Sequence, residues 1–359
     1  TDYSEEAFRE KFDAIIAGAK QAGANTLVVH VRPFGDALYP SSSFPWSHLV
    51  TGEQGKDPGY DPLAYMVEAT HQAGMQFHAW VNPLRIQISG SPQQLSAENP
   101  YQQWRGDSEQ ENDLWVLDYG EDKYYNPAVP QVCELIINGV KEIVENYAVD
   151  AIHFDDYFYP ELNNQDPARW FDFPEYQNSG SLLSISDWRR ENVSQLIQGV
   201  YKTVKEETAQ TVFGISPQGY VEHLRSDQKL FTDIDRWLSE AGFVDYIMPQ
   251  LYWGFETKTP SGEEAPYRFE ENLKTWIALS EKGSAKLYLG LAAYRAGTDV
   301  TDYTEVSEWL RRDDILKRQV EAGRASGRVS GYCFYSYSSF LQSQAQREID
   351  NLLPVLREE

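Results

Sequence analysis

Two consecutive carboxylates, Asp155 and Asp156, close a short apolar run that also carries His153, and Tyr157, Phe158 and Tyr159 follow directly. Acids paired at a strand's exit, among aromatics, suit glycosidic-bond hydrolysis. One carboxylate traps or stabilises an oxocarbenium-like centre, and one carboxylic acid protonates the leaving oxygen. Like-charge crowding and apolar neighbours push the two pKa values apart, as that division of labour requires. Successive strand residues face opposite ways, so both acids reach one cleft only if the strand ends or bulges there. The competing reading is a pair that caps a helix or fastens a loop.

Polar side chains recur at a single parity in the other apolar runs. His30 and Arg32 share one, as do His78, Trp80 and Asn82, then His153 and Asp155; Ser216 stands in a fourth run and Gln250 with Tyr252 in a fifth. The helix-facing side of such a strand should be apolar, so these residues are expected to point to a common interior. Apart from His30 and the catalytic candidate Asp155, they are candidate substrate-binding groups, joined by Asp36, Arg85, Tyr157 and Trp253. The alternative is a polar network that merely fills the interior. Arg32 and Arg85 stand at strand exits in a chain of net charge −24. Either they grip an anion, or they neutralise Asp36, Asp155 or Asp156.

His30, His78 and His153 with Asp155 open a rival reading, a zinc site doing metal-dependent deacetylation. The spacing offers no His-x-His pair and no His-Glu-x-x-His, so no metal and no other cofactor is expected. Aromatics crowd the segments behind the strands: Phe34, Tyr39, Phe44 and Trp46, then Trp104 and Trp115, then Trp170, Phe171, Phe173 and Tyr176, and finally Phe255. Pyranose rings stack their C–H faces on such side chains, although many of these will simply pack the loops.

Positioning these residues requires a scaffold. Seven apolar runs read as buried strands, at 26–32, 75–83, 151–158, 211–217, 246–253, 286–294 and 331–337. Amphipathic stretches at 5–22, 62–73, 130–147, 186–207, 268–282 and 313–325 read as helices. Alternation of this kind means parallel strands with crossover helices. Helix-to-strand links are tight and marked by Gly23, Gly74, Gly242, Gly283 and Gly327, whereas strand-to-helix links are long, at 33–61 and 84–129. Loops that grow at one end of a parallel sheet predict a (β/α)8 TIM barrel with its site at the strand C-termini. An open doubly wound sheet is the competitor. The eighth strand is expected upstream of Thr1. A single domain over 1–359 is expected, with 84–126 and 159–185 as insertions covering the cleft.

The net charge of −24 disfavours nucleic acid and anionic membrane surfaces as partners. With 10 Trp, 23 Tyr and 16 Phe the chain is not a disordered one. Cys133 and Cys333 fit no metal or disulfide spacing and read as free structural thiols.

Longer strings carry a resemblance. Val31-Arg32-Pro33-Phe34-Gly35-Asp36-Ala37-Leu38-Tyr39 is followed by Pro58-Gly59-Tyr60-Asp61-Pro62-Leu63 and Phe77-His78-Ala79-Trp80-Val81-Asn82-Pro83. The block from Ile152 to Pro160, then Asp187-Trp188-Arg189-Arg190, Gly214-Ile215-Ser216-Pro217 and Pro249-Gln250 come in the same order. Together they resemble the bacterial glycoside-hydrolase-like family 10. That resemblance implies a (β/α)8 barrel and an extracytoplasmic protein, secreted or lipoprotein-anchored. It also implies hydrolysis of cell-wall amino-sugar glycan, in particular peptidoglycan strands stripped of stem peptides. The run Asp150–Asp155 is similar to the fourth-strand motif of the alpha-amylase clan, but Ala151 and His153 replace its Gly and Arg. It is similar to the chitinase pattern too, with Tyr157 where that pattern has its acid Glu. Asp155 survives both comparisons; the donor stays open between Asp156 and Glu222. A glycan-binding barrel without catalysis is the alternative from another class.

Overall fold

The computed structural model describes residues 2–160, 170 and 172–357. Ten strands set its framework: β1 (Thr26–Arg32), β2 (Gln76–Val81), β3 (Arg85–Gln87), β4 (Val116–Tyr119), β5 (Asp122–Tyr125), β6 (Ala151–Phe154), β7 (Val212–Ile215), β8 (Tyr246–Ile247), β9 (Lys286–Leu291) and β10 (Val329–Phe334). Seven of them form one sheet in the order β1-β2-β6-β7-β8-β9-β10. The pairs β1–β2, β2–β6, β7–β8, β8–β9 and β9–β10 are parallel. The α/β alternation is therefore present, with a mostly parallel seven-stranded sheet among the described residues.

The chain packs as two compact units. The first comprises Thr1–Ala17, Asn25–Phe213 and Arg225–Ile234. Its core strands bury Val31, Phe77, Ala79, Val81, Ile152 and Phe154 completely. The helix Pro62–Gln72 starts where Asp61 accepts the Ala64 N–H at 3.0 Å and Pro62 needs no N–H partner. The helix Pro130–Asn146 buries Val132, Ile136, Gly139, Val140 and Ile143, one face at helical spacing. Gly199, on the helix Ile185–Glu207, lets the two helices close up: a Cβ there would lie 2.6 Å from Ile137. The 84–126 insertion folds into a small antiparallel sheet in the order β3-β5-β4.

The 159–185 insertion is fastened by charge. Arg189 grips Asp172 through both carboxylate oxygens, with Nε–Oδ2 at 2.7 Å, and both residues are fully buried. The guanidinium lies 3.7 Å over Trp170 and 4.9 Å from the Phe231 ring. Positions 161–169 and Phe171 of this insertion lie outside the described residues.

The second unit comprises Gly18–Ala24, Gly214–Leu224 and Asp235–Glu359. Its own ladder runs from Gly214↔Tyr246 through Ile247↔Leu287 to Leu291↔Phe334. Trp276 and Trp309 are buried in it, and the Trp276 indole donates to the Gly219 carbonyl at 2.7 Å. The expected run 246–253 contributes only two ladder residues, after which Gln250 pairs in isolated bridges with Gln218 and Gly290. Cys133 and Cys333 are free thiols. Among the described residues, no helix is long and apolar enough to cross a membrane.

Candidate active site

The site of the first unit grows out of strand register. Parallel pairing sets His30 beside Trp80, and Trp80 beside His153. The His30 and Trp80 rings stack with centroids 3.4 Å apart, and Trp80 meets His153 edge-on at 6.2 Å. One residue beyond β6, Asp155 closes the group. Its Oδ2 accepts Trp80 Nε1 at 3.0 Å and Asn82 Nδ2 at 3.1 Å, with His30 Nε2 at 3.9 Å. Its Oδ1 accepts the Tyr157 N–H at 3.4 Å. That last contact is an Asx-type turn, and it explains why the strand expected over 151–158 stops at Phe154. The ladder ends just before the two acids, the condition under which neighbouring carboxylates escape strict alternation. Asp155 and Asp156 are both buried, at 2% and 5% exposure.

Burial dominates the histidines. Desolvation depresses His153 to about 3, and His78 and His30 beside it push the same way. His78 is depressed to about 4 by burial, against a smaller opposing pull from Asp150. Both imidazoles are neutral at neutral pH. Among the described residues no group of three His, Cys, Asp or Glu side chains is arranged to hold a metal ion, so the zinc reading finds no such group here.

Arg85 and Tyr157 flank the acids. The Arg85 guanidinium carbon sits 3.1 Å above the Tyr157 ring, and Tyr157 is 41% exposed. The β3–β5 pairing Arg85↔Tyr124 and the bond from Arg85 N to Asn82 Oδ1, 3.2 Å, hold the arginine there. Burial and the neighbouring Asp156 raise the Tyr157 phenol, while Arg85 opposes them.

Two expected binding residues are turned away from this group. The β1–β2 register slips between His30 and Arg32, so Arg32 pairs with Val81 and takes Val81's helix-facing side. Its guanidinium lies 4.3 Å over Phe44, and a Cβ on Gly139 would stand 2.2 Å from its Nη1. At 1% exposure Arg32 is sealed between strand and helix, not open to an anion. Asp36 is fully buried and takes Gln54 Nε2 at 3.0 Å and His48 Nδ1 at 3.5 Å, which makes it an anchor for the loop behind β1. Many aromatics also serve the loops. Trp104 packs on Trp115 and Tyr125, and Tyr39 and Phe44 are buried.

The remaining candidates belong to the second unit. Ser216 Oγ donates to the Met248 carbonyl at 2.9 Å, and Gln250 Nε2 donates to the Ser216 carbonyl at 2.8 Å. Trp253 packs on Tyr267, with ring centroids 5.6 Å apart. Tyr252 stacks on Tyr335 at 6.4 Å and meets Tyr294 edge-on at 5.8 Å. Tyr294 and Tyr335 are 38% and 47% exposed. Sequence reading passed over both, although each follows a strand end, the signal that singled out Tyr157. Glu222 is exposed on the short helix Val221–Leu224 of this unit.

A parallel α/β sheet with an oriented carboxylate at a strand's exit and aromatics behind it is the make-up of a glycoside-hydrolase-like protein. The chain belongs to the family described as Glycosyl hydrolase-like 10, whose sequence profile matches residues 3–306. It is 34% identical over 336 residues to the glycosyl hydrolase YngK of Bacillus subtilis strain 168, covering 89% of this chain and 62% of that protein. It is 31% identical over 370 residues to the glycosyl hydrolase DigH of Escherichia coli K12, covering 97% of this chain and 79% of the relative. The fold resembles the glycoside hydrolase domain of PgaB (BpsB) from Bordetella bronchiseptica, with a TM-score of 0.62 at 14% identity over 98% of this chain and 95% of that one. A beta-galactosidase from Marinomonas ef1 matches with a TM-score of 0.61 at 9% identity, over 97% of this chain and 57% of that one.

Proposed function

We propose that the protein hydrolyses β-linked amino-sugar glycan of the bacterial cell wall, with peptidoglycan strands lacking stem peptides as the substrate and an extracytoplasmic place of action. The observation that carries the reading is Asp155, fixed at the end of β6 by the Trp80 and Asn82 donors. A carboxylate oriented by fixed dipoles in a water-poor site is the group that an oxocarbenium-like centre needs. Asp155 is assigned as nucleophile or charge stabiliser and Asp156 as proton donor. Family membership and the glycosyl hydrolase names of the relatives support the reaction class.

The test is direct. Purified protein is incubated with intact and with amidase-stripped peptidoglycan, and the released fragments are analysed by mass. Release from the stripped polymer alone is the expected result. Binding of the stripped polymer with no cleavage would replace the hydrolase reading by that of a glycan-binding barrel.

A further inference from the structure

The arginines of this acidic chain are mostly matched to carboxylates. Arg9 pairs with Glu5, Arg105 with Asp118, Arg189 with Asp172 and Arg190 with Asp187. Arg85 differs: among the described residues no carboxylate lies within ion-pair reach of it. Arg32, Arg295, Arg324 and Arg357 share that property, but Arg32 is sealed under Phe44 and the other three belong to the second unit, not to the one that holds Asp155 and Asp156. Arg85 is only partly buried. Its Nε is enclosed without a hydrogen-bond partner.

The stack on Tyr157 fixes the plane of the guanidinium. A guanidinium held flat on a ring keeps its in-plane N–H fork for another partner, and that fork matches a carboxylate bidentately. Its position relative to the acids is set by two short connections. Asn82 accepts the Arg85 N–H through Oδ1 and donates to Asp155 through Nδ2. Tyr157, under the guanidinium, donates its own N–H to the other Asp155 oxygen. A partly buried cation near the strand exit, without a carboxylate partner of its own, is poorly used on a neutral sugar alone.

We propose that Arg85, held on the face of Tyr157, reads a carboxylate carried by the sugar chain and so selects acidic over neutral amino-sugar glycan. This inference rests on the glycan reading above and names the group that sets its specificity.

The experiment uses the full chain carrying Asp155→Asn, so that binding is measured without turnover. Three tetrasaccharides of equal length are titrated calorimetrically: an all-N-acetylglucosamine chain, one with lactyl carboxylates on alternate sugars, and the same chain with those carboxylates amidated. The acid form should bind about 10-fold or more tighter than its amide, the scale of one charge-assisted contact. Adding Arg85→Gln should erase that difference and leave the neutral chain within about 3-fold, and Arg85→Lys should keep only part of it. Thermal unfolding of each variant verifies the fold, and the acid-to-amide comparison in the parent needs no arginine variant. Equal binding of all three sugars, or an acid preference that survives Arg85→Gln, overturns the inference and leaves the glycan reading standing. Binding of none of them overturns the glycan reading, and the inference with it.

Discussion

The indole Nε1 of Trp80 donates to Asp155 Oδ2 at 3.0 Å, across the parallel pair β2–β6. A strand-borne donor therefore orients a carboxylate that stands just past its own strand. Asp155→Asn keeps the shape and can present its carbonyl oxygen to the same donors while losing the charge. Turnover of stripped peptidoglycan should fall by a factor on the order of 100 or more with the unfolding temperature nearly unchanged. Trp80→Phe removes one charge-assisted bond and should cost roughly 10-fold in kcat. Near wild-type rates in the Asn variant would assign Asp155 to structure.

The buried histidines predict an acid-side loss of stability. His78 is depressed to about 4 and His153 to about 3. Below pH 6.5 the unfolded chain takes up protons that the native imidazoles refuse, so stability falls as pH drops through that value. The loss levels off only below the native values, and for His78 it amounts to on the order of 3 kcal/mol. Urea titrations from pH 7.5 to 4.5 in a Glu348→Gln background, which removes the opposing titration of that buried glutamate, should show the midpoint falling, and adding His78→Leu should shallow the slope. A midpoint independent of pH across this window would contradict the burial argument.

The strand scaffold and the place of Asp155 at a strand exit were legible in the sequence because buried parallel strands are continuous apolar runs, and a carboxylate ending one stands out. Strand parity grouped His30, Trp80 and His153, and these share a register row. It failed for Arg32 because the β1–β2 slip is a property of pairing, and one strand's own alternation carries no sign of it. The Arg189–Asp172 anchor was equally hidden, since nothing local links a helix residue to an insertion residue 17 positions earlier. Gln250 was read inside a strand, but the ladder stops at Ile247 and its amide ties back to the Ser216 carbonyl.

That anchor yields a stability prediction. Arg189 and Asp172 are both fully buried, with the guanidinium boxed by Trp170 and Phe231. Asp172→Asn leaves a buried cation without its counter-charge and should cost about 3–5 kcal/mol. The double variant Arg189→Met with Asp172→Leu should recover much of that loss, because two desolvated charges disappear together. Chemical denaturation of the two proteins decides it. A single variant as stable as the parent would show that the pair fastens nothing.

Glu348 predicts the opposite pH dependence. It lies in the helix Gln346–Arg357, is 2% exposed, and accepts the Leu316 N–H at the start of the helix Ile315–Ser326. Burial raises its carboxyl to about 7, the Leu316 bond opposes that, and Asp314, Asp313 and Glu308 add to the rise. Between the ordinary glutamate value near 4.5 and about 7 the native state holds a proton that the unfolded chain has lost. Stability therefore falls as pH rises through this window. Glu348→Gln can still accept the Leu316 N–H and is neutral at every pH. Its advantage over the parent should be absent at pH 4, grow from pH 5 to 7, and reach several degrees in Tm at pH 8. Thermal unfolding of both proteins at pH 4, 6 and 8 is the measurement. A glutamine variant that loses stability at pH 8 would mean that ionised Glu348 caps the helix at a net gain, with the Leu316 N–H and the helix dipole outweighing the cost of burial.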